Sequence, residues 1–268
     1  MLAGARGRIR ALAFAVVAAA VGALSYVLGV QSALGQQAEA SVLDAASFTT
    51  TPPAPLNLVS VPSVILALVL LGSFALAVHG FRRALGVTGV SALAIVASQL
   101  LKQQFLQRPG LFELDAPNTF PSGHMTVFAV LTMALIWAVP DRSRAVFALL
   151  GAALLGVVAW QLLAYGWHRP SDVLGALALS VLAFAIARIF VPGARAARPA
   201  LGGFARVALT LGGGLLIAGA LGLAGLSLVS EPGGALGLGR SDLLLLAGEL
   251  GTVGASALSV RAALSLSS

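Results

Sequence analysis

The sequence predicts an all-α, polytopic membrane helix bundle, and three observations lead there. Of 268 residues, 59% are hydrophobic and only 9% are charged, whereas charged residues make up about a quarter of an ordinary soluble domain. The mean hydropathy is +0.99. Long apolar runs recur down the chain between short polar connections, and about 20 apolar residues suffice to cross a hydrocarbon core of ~30 Å. The formal charge of +7 is spread through those connections, not gathered on one stripe. This argues against a nucleic-acid partner and for a positive-inside topology. With no cysteine, the chain has no disulfide framework, thiol nucleophile or cysteine metal site, and the redox compartment stays open.

The elements follow in order. Arg6, Arg8 and Arg10 precede an apolar run at 11–30, long enough to span. A cleaved secretory signal is the competing reading of this run, with small residues at 33–35 or 38–40 suited to a peptidase; both readings put the N-terminus in the cytoplasm. Residues 31–57 lack Lys and Arg, carry Glu39 and Asp44, and end in a proline-rich stretch, which reads as an outer loop. A second span at 59–78 closes on His79 and the Arg82-Arg83 pair, and His79 reads as an interfacial loop histidine. The third span, 86–101, emerges outside at Lys102. The fourth, 124–139, ends before Asp141-Arg142-Ser143-Arg144, a cytoplasmic connection. The fifth, 145–165, leads out to His168, and the sixth, 173–189, returns. A Pro/Gly/Ala-rich linker with Arg195 and Arg198 then separates two further spans, 207–229 and 243–260. The expected organisation is a six-helix core over 1–192 and a linker with a two-helix extension over 193–268.

The charge count supports this layout. Twelve of the sixteen basic residues fall inside, and only Lys102, Arg108, Arg169 and Arg240 fall outside. Seven of the nine acidic residues fall outside, with Asp141 inside and Glu249 within the last span. Small residues four apart, such as Gly214, Ala218 and Gly222 or Gly251, Ala255 and Ser259, suit close helix packing.

Three of the four outer cations lie in polar islands: 102–109, Pro121-Ser122-Gly123-His124, and His168-Arg169-Pro170-Ser171-Asp172. The topology gathers Lys102, Arg108, Ser122, His124, His168 and Asp172 on one membrane face, a set suited to a phosphate or phosphoester. Pro121 and Ser122 mark a helix start, where free N–H groups and the helix dipole favour an anion. Glycine at 123 allows close backbone approach. His168 and Asp172 are four apart, so on a helical turn the carboxylate can hold the imidazole in one tautomer. Each island alone also fits an ordinary capped turn.

Taken together, Lys102, Arg108-Pro109, Pro121 to His124, and His168 with Asp172 resemble the signature of the type 2 phosphatidic acid phosphatase family, the lipid phosphate phosphatases. The resemblance covers residues 101–175, and the family's six-helix core extends it to about 190. It implies a phosphohistidine formed on His168, Asp172 orienting that ring, and His124 as the general acid. Lys102, Arg108, Ser122 and Gly123 would hold phosphate oxygens, with no metal and no cofactor. Two departures stand out. Five residues separate Lys102 from Arg108 where the family has six, and Gln161-Leu162 occupy the positions of the family's Ser-Arg pair. Arg169 is the expected substitute cation, with Gln161 able to add a neutral bond.

The resulting expectation is metal-independent hydrolysis of a lipid phosphate or polyprenyl pyrophosphate at the outer face of a cell membrane, both termini being cytoplasmic. The partners are that lipid and the bilayer. A non-catalytic lipid-binding or transport protein and a lipid phosphotransferase are the alternatives. Fifteen arginines against one lysine suggest a GC-rich bacterial genome. Glu249 reads as a mid-span carboxyl without an identified partner, Glu113 and Asp115 as loop charges, and Trp137, Trp160, Tyr165 and Trp167 as interfacial or packing residues.

Overall fold

A computed structural model describes residues 2–112, 114, 116–190, 201–229 and 238–267. Among these residues there is no strand. Nine α-helices follow one another: α1 (Leu2–Ser25), α2 (Ala33–Ala45), α3 (Val61–His79), α4 (Phe81–Leu100), α5 (Gly123–Ala138), α6 (Arg144–Ala164), α7 (Pro170–Phe190), α8 (Gly202–Val229) and α9 (Arg240–Leu266). Two of them run on as a single wide π turn, α1 through Tyr26–Val30 and α4 through Leu101–Phe105. Seven helices are long and apolar enough to cross a membrane. The eighth expected span is α5, which at 16 residues is shorter. The chain is a multi-pass membrane protein.

Local sequence explains the boundaries. Ser60 and Ser63 form a reciprocal capping box at the start of α3, with a proline in its first turn, so two orphan N–H groups gain acceptors. Gly80 ends α3 at φ 82°, a left-handed conformation that favours glycine. The chain therefore reverses directly into α4.

The bundle is built around α5. Eleven of its residues are buried, and it is enclosed by α3, α4, α6 and α7. The outer faces of α3 and α8 instead expose leucines, valines and phenylalanines such as Leu66, Leu70, Phe204 and Leu215, as hydrocarbon contact allows. α1 packs along α7, while α9 packs against α8, α6, α7 and α2. The last two helices are thus part of the same packed assembly.

One end of the bundle carries arginines on helix C-termini. Arg83 donates to the Trp137 carbonyl (3.2 Å), Arg144 to Ser267 (2.8 Å) and Arg188 to Leu266 (2.9 Å), satisfying last-turn carbonyls where the dipole favours cations. His79 lies at this end too, 3.4 Å from the Val139 carbonyl. The polar islands occupy the opposite end.

Two expectations need correction. The segment read as an outer loop contains α2, whose buried face presents Gln36, Glu39, Ala40 and Val42. Polar side chains on the inward face erase the hydropathy signal that marks an amphipathic helix. The small-residue stripe Gly214-Ala218-Gly222 also faces outward. A Cβ on Gly214 or Gly222 would meet nothing, whereas one on Gly213 would approach the Gly254 carbonyl at 2.9 Å. The α8–α9 crossing therefore lies on another face, at Gly213 and Ala220, because a period of four alone does not say which face is covered. The linker arginines Arg195 and Arg198, and the charges Glu113, Asp115 and Glu231, lie outside the described residues.

Candidate active site

The predicted residues gather at the end of the bundle where α4 stops and α5 and α7 start. Ser122 caps α5, its Oγ accepting from the Met125 N–H at 3.2 Å. As a cap acceptor, that hydroxyl keeps its own proton for another partner. The Ser122 N–H donates to the Asp172 carbonyl at 3.0 Å, which ties the second island to the third. Gly123 follows at the first turn, where N–H groups lack intrahelical partners. A Cβ there would stand 3.0 Å from Gln99 Nε2 and 4.0 Å from Lys102 Nζ. Lys102, on the π turn after α4, therefore reaches the positive end of α5, and both favour an anion.

Asp172 is fully buried. Its Oδ2 accepts three hydrogen bonds, from Thr119 Oγ1 (2.6 Å), the Arg169 N–H (3.0 Å) and His168 Nδ1 (3.1 Å). These donors fix one carboxylate rotamer, and the last defines the His168 tautomer. With Nδ1 donating to Asp172, Nε2 is the nitrogen that carries a lone pair. The His124 ring is 6.4 Å from that of His168 between centroids and meets Trp167 edge-on at 5.4 Å.

Arg169 is buried, its Nη1 donating to Thr119 Oγ1 at 3.2 Å. It thus sits beside the Thr119–Asp172 pair. At the positions of the missing Ser-Arg, Leu162 is fully buried in the apolar core and Gln161 donates to the Ala54 carbonyl at 3.0 Å. The Gln161 amide therefore anchors the connection between α2 and α3, an alternative to the phosphate bond expected of it. Trp167 does the same, its indole N–H donating to Thr49 at 2.7 Å.

Glu39 and Thr119 are the two residues that sequence reasoning missed. Glu39 Oε2 lies 3.8 Å from Arg108 Nη1, and Oε1 accepts the Ser171 N–H at 2.9 Å. One carboxyl on α2 thereby links the first island to the start of α7. Gln36, three residues earlier, receives the N–H groups of Leu111 and Phe112 and donates to the Pro109 carbonyl. Burial raises the Glu39 carboxyl above its usual range, with Asp172 adding to the rise and the Ser171 and Arg108 contacts opposing it. The signal for Glu39 was present as an acidic side chain spaced three from Gln36. For Thr119 it was a hydroxyl three residues before the serine of the second island. Glu249 follows Gly248, whose Cβ position would be 3.0 Å from Pro170 and Leu163; it therefore lies near the depth at which α7 begins.

The family model of the PAP2 superfamily matches residues 64–196, a stretch that contains all three islands. The chain belongs to the PAP2 superfamily. Members of this superfamily are phosphatases, so the chain is a phosphoric ester hydrolase. No curated protein and no solved structure matches it. The PAP2 match begins within α3 and ends beyond α7, leaving α1, α2, α8 and α9, and with them Glu39, outside.

Proposed function

We propose that the protein hydrolyses a membrane lipid phosphomonoester or polyprenyl pyrophosphate through a phosphohistidine, with no metal required. The observation that carries the mechanism is the His168 Nδ1–Asp172 Oδ2 hydrogen bond, which leaves Nε2 as the nucleophile. Nε2 attacks phosphorus in line. The P–O bond to the leaving group breaks, and His124 gives its proton to the departing oxygen. Water then attacks the phosphohistidine, giving its proton to His124. The P–N bond breaks, and inorganic phosphate leaves with His168 restored. Lys102, Arg108, Arg169, the Ser122 hydroxyl and the Gly123 N–H stabilise charge on the equatorial oxygens.

An apolar groove of about 340 Å³ supports the lipid class of substrate. It is lined by α1 and α7 and reaches Leu101, Phe120 and Pro121, the neighbours of Lys102 and Ser122. A chain lying there would hold its head group at the islands. The distribution of basic residues supports an outward-facing site.

Phosphate release from phosphatidate, polyprenyl pyrophosphate and related lipids, measured on purified protein in detergent with EDTA, tests the reading. Activity is expected with chelator present and should fall at least ~10³-fold in His168→Ala, as loss of a nucleophile requires. A metal requirement would overturn the mechanism. No release from any substrate would leave lipid binding without catalysis, the reading favoured by the burial of Leu162 where the family carries arginine.

A further inference from the structure

Three arginines share a cavity at the other end of the molecule. Arg10 of α1, Arg206 of α8 and Arg261 of α9 line one cavity of about 430 Å³, together with Phe14, Val17 and Ser265. These cations come from three helices far apart in sequence, and no acidic side chain lines the cavity among the described residues. Arg261 is held in place, its Nε donating to Thr210 Oγ1 at 3.3 Å and its Nη1 to Ser265 Oγ at 2.9 Å. Three guanidinium groups lining one cavity give it a positive potential that favours an anion.

The cavity also has an apolar continuation. Phe14 and Val17 line it and equally line a groove of about 300 Å³ between α1, α7, α8 and α9, walled by Leu177, Val181, Ile217 and Leu258. Polar lining contributes little there, and the groove runs along the membrane-spanning part of the helices. A basic head cavity joined end to end with an apolar trough has the form of a phospholipid. Inorganic phosphate has no use for the trough, and a zwitterionic head group has no net charge for three arginines.

The geometry points to an anionic diacyl phospholipid bound here: its phosphodiester lies among Arg10, Arg206 and Arg261, and an acyl chain lies along α1 and α7. Arg10 precedes the family match and Arg206 and Arg261 follow it, so this is a property of the helices added to the phosphatase unit. The lipid ties α1 to the α8–α9 pair. Neither its placement nor its chemistry depends on the mechanism proposed for the islands.

The test is a binding titration of the purified, delipidated full chain, followed by native mass spectrometry and thermal melting. The probes are phosphatidylglycerol, phosphatidylcholine with the same acyl chains, and glycerophosphoglycerol without acyl chains. Phosphatidylglycerol should bind at least ~10-fold more tightly than either other probe. Each arginine near an anionic lipid is worth about fivefold in affinity, so Arg206→Gln/Arg261→Gln should lose about 25-fold while Arg206→Lys/Arg261→Lys stays within about threefold. Arg206→Gln alone, losing about fivefold, keeps the test open should the double variant fail to fold. Equal binding of phosphatidylcholine would overturn the assignment, as would undiminished binding by the glutamine variants. Loss of phosphatidylglycerol binding in Arg108→Gln would instead assign it to the islands and overturn a separate site. Glycerophosphoglycerol binding as tightly as the intact lipid would remove the acyl groove from the proposal.

Discussion

Asp172 shows how single residues set the chemistry of this site. One of its oxygens receives a hydroxyl, a backbone N–H and an imidazole N–H, so its charge and rotamer are held before substrate arrives. Arg169 contributes twice, through its backbone to Asp172 and through its side chain to Thr119. A charge-assisted bond to phosphate is worth about 1.5–3 kcal/mol, or roughly 10- to 150-fold in rate. Arg169→Ala should lower kcat/KM within that range in steady-state phosphate-release assays; full activity would show that the lost family arginine has no replacement in Arg169. Glu39 offers a second residue-scale test. Glu39→Ala removes one carboxylate beside Arg108 and the acceptor of the Ser171 N–H and should cost about tenfold in kcat/KM, whereas Glu39→Gln keeps an acceptor for Ser171 and should recover most of it. Burial raises the Glu39 carboxyl, so the folded state holds the proton more tightly than the unfolded chain. Its stabilising contribution is therefore complete below the unfolded value and is lost as pH rises through the raised one. Melting curves should show the glutamine variant gaining on the native protein as pH rises across that window. A native protein that instead gains on the glutamine variant as pH rises would mean that the Arg108 attraction outweighs burial.

At the scale of elements, the site depends on the segment entering α5 being pressed against α7. Gly175 is where they meet: a Cβ there would collide with the ring of Phe120, which is itself buried. Gly175→Ala is therefore expected to push Phe120, and with it Pro121 and Ser122, away from α7. Overpacking of this kind costs about 1–3 kcal/mol. Thermal melting should register that loss, and kcat/KM should fall even where the variant folds, because the Ser122–Asp172 backbone bond runs through the displaced segment. An Ala variant with native activity would mean that Phe120 can rotate aside without moving the cap. α2 has a comparable function, since Gln36 and Glu39 hold the 108–112 stretch and the start of α7 from outside the family match.

For the whole molecule, the two ends of the bundle differ in charge. Arginines on helix C-termini mark one end and the islands mark the other, which makes sidedness the property to measure. The chain has no cysteine, so single cysteines report without background. Phe48 is 71% exposed near the island end and Arg142 is exposed in the α5–α6 connection at the other. In intact cells a membrane-impermeant thiol reagent should label Phe48→Cys and spare Arg142→Cys until the membrane is opened. The reverse pattern would turn the proposed site inward.

The helical membrane class and the positions of the seven long apolar helices were legible from the chain alone, as were three polar islands between apolar runs. Apolar run length, basic connections and the His168–Asp172 spacing are local properties that the solvent and the helix period dictate wherever the segment ends up. The sequence could not disclose α2, whose inward face is polar, nor the pairing of Glu39 with Arg108 across about seventy residues. It also could not tell which glycine stripe closes α8 on α9, nor that Arg10, Arg206 and Arg261 share a cavity. Those are decided by which helix faces meet. Packing and pairing depend on distances between segments remote in sequence, and no period within one segment encodes them.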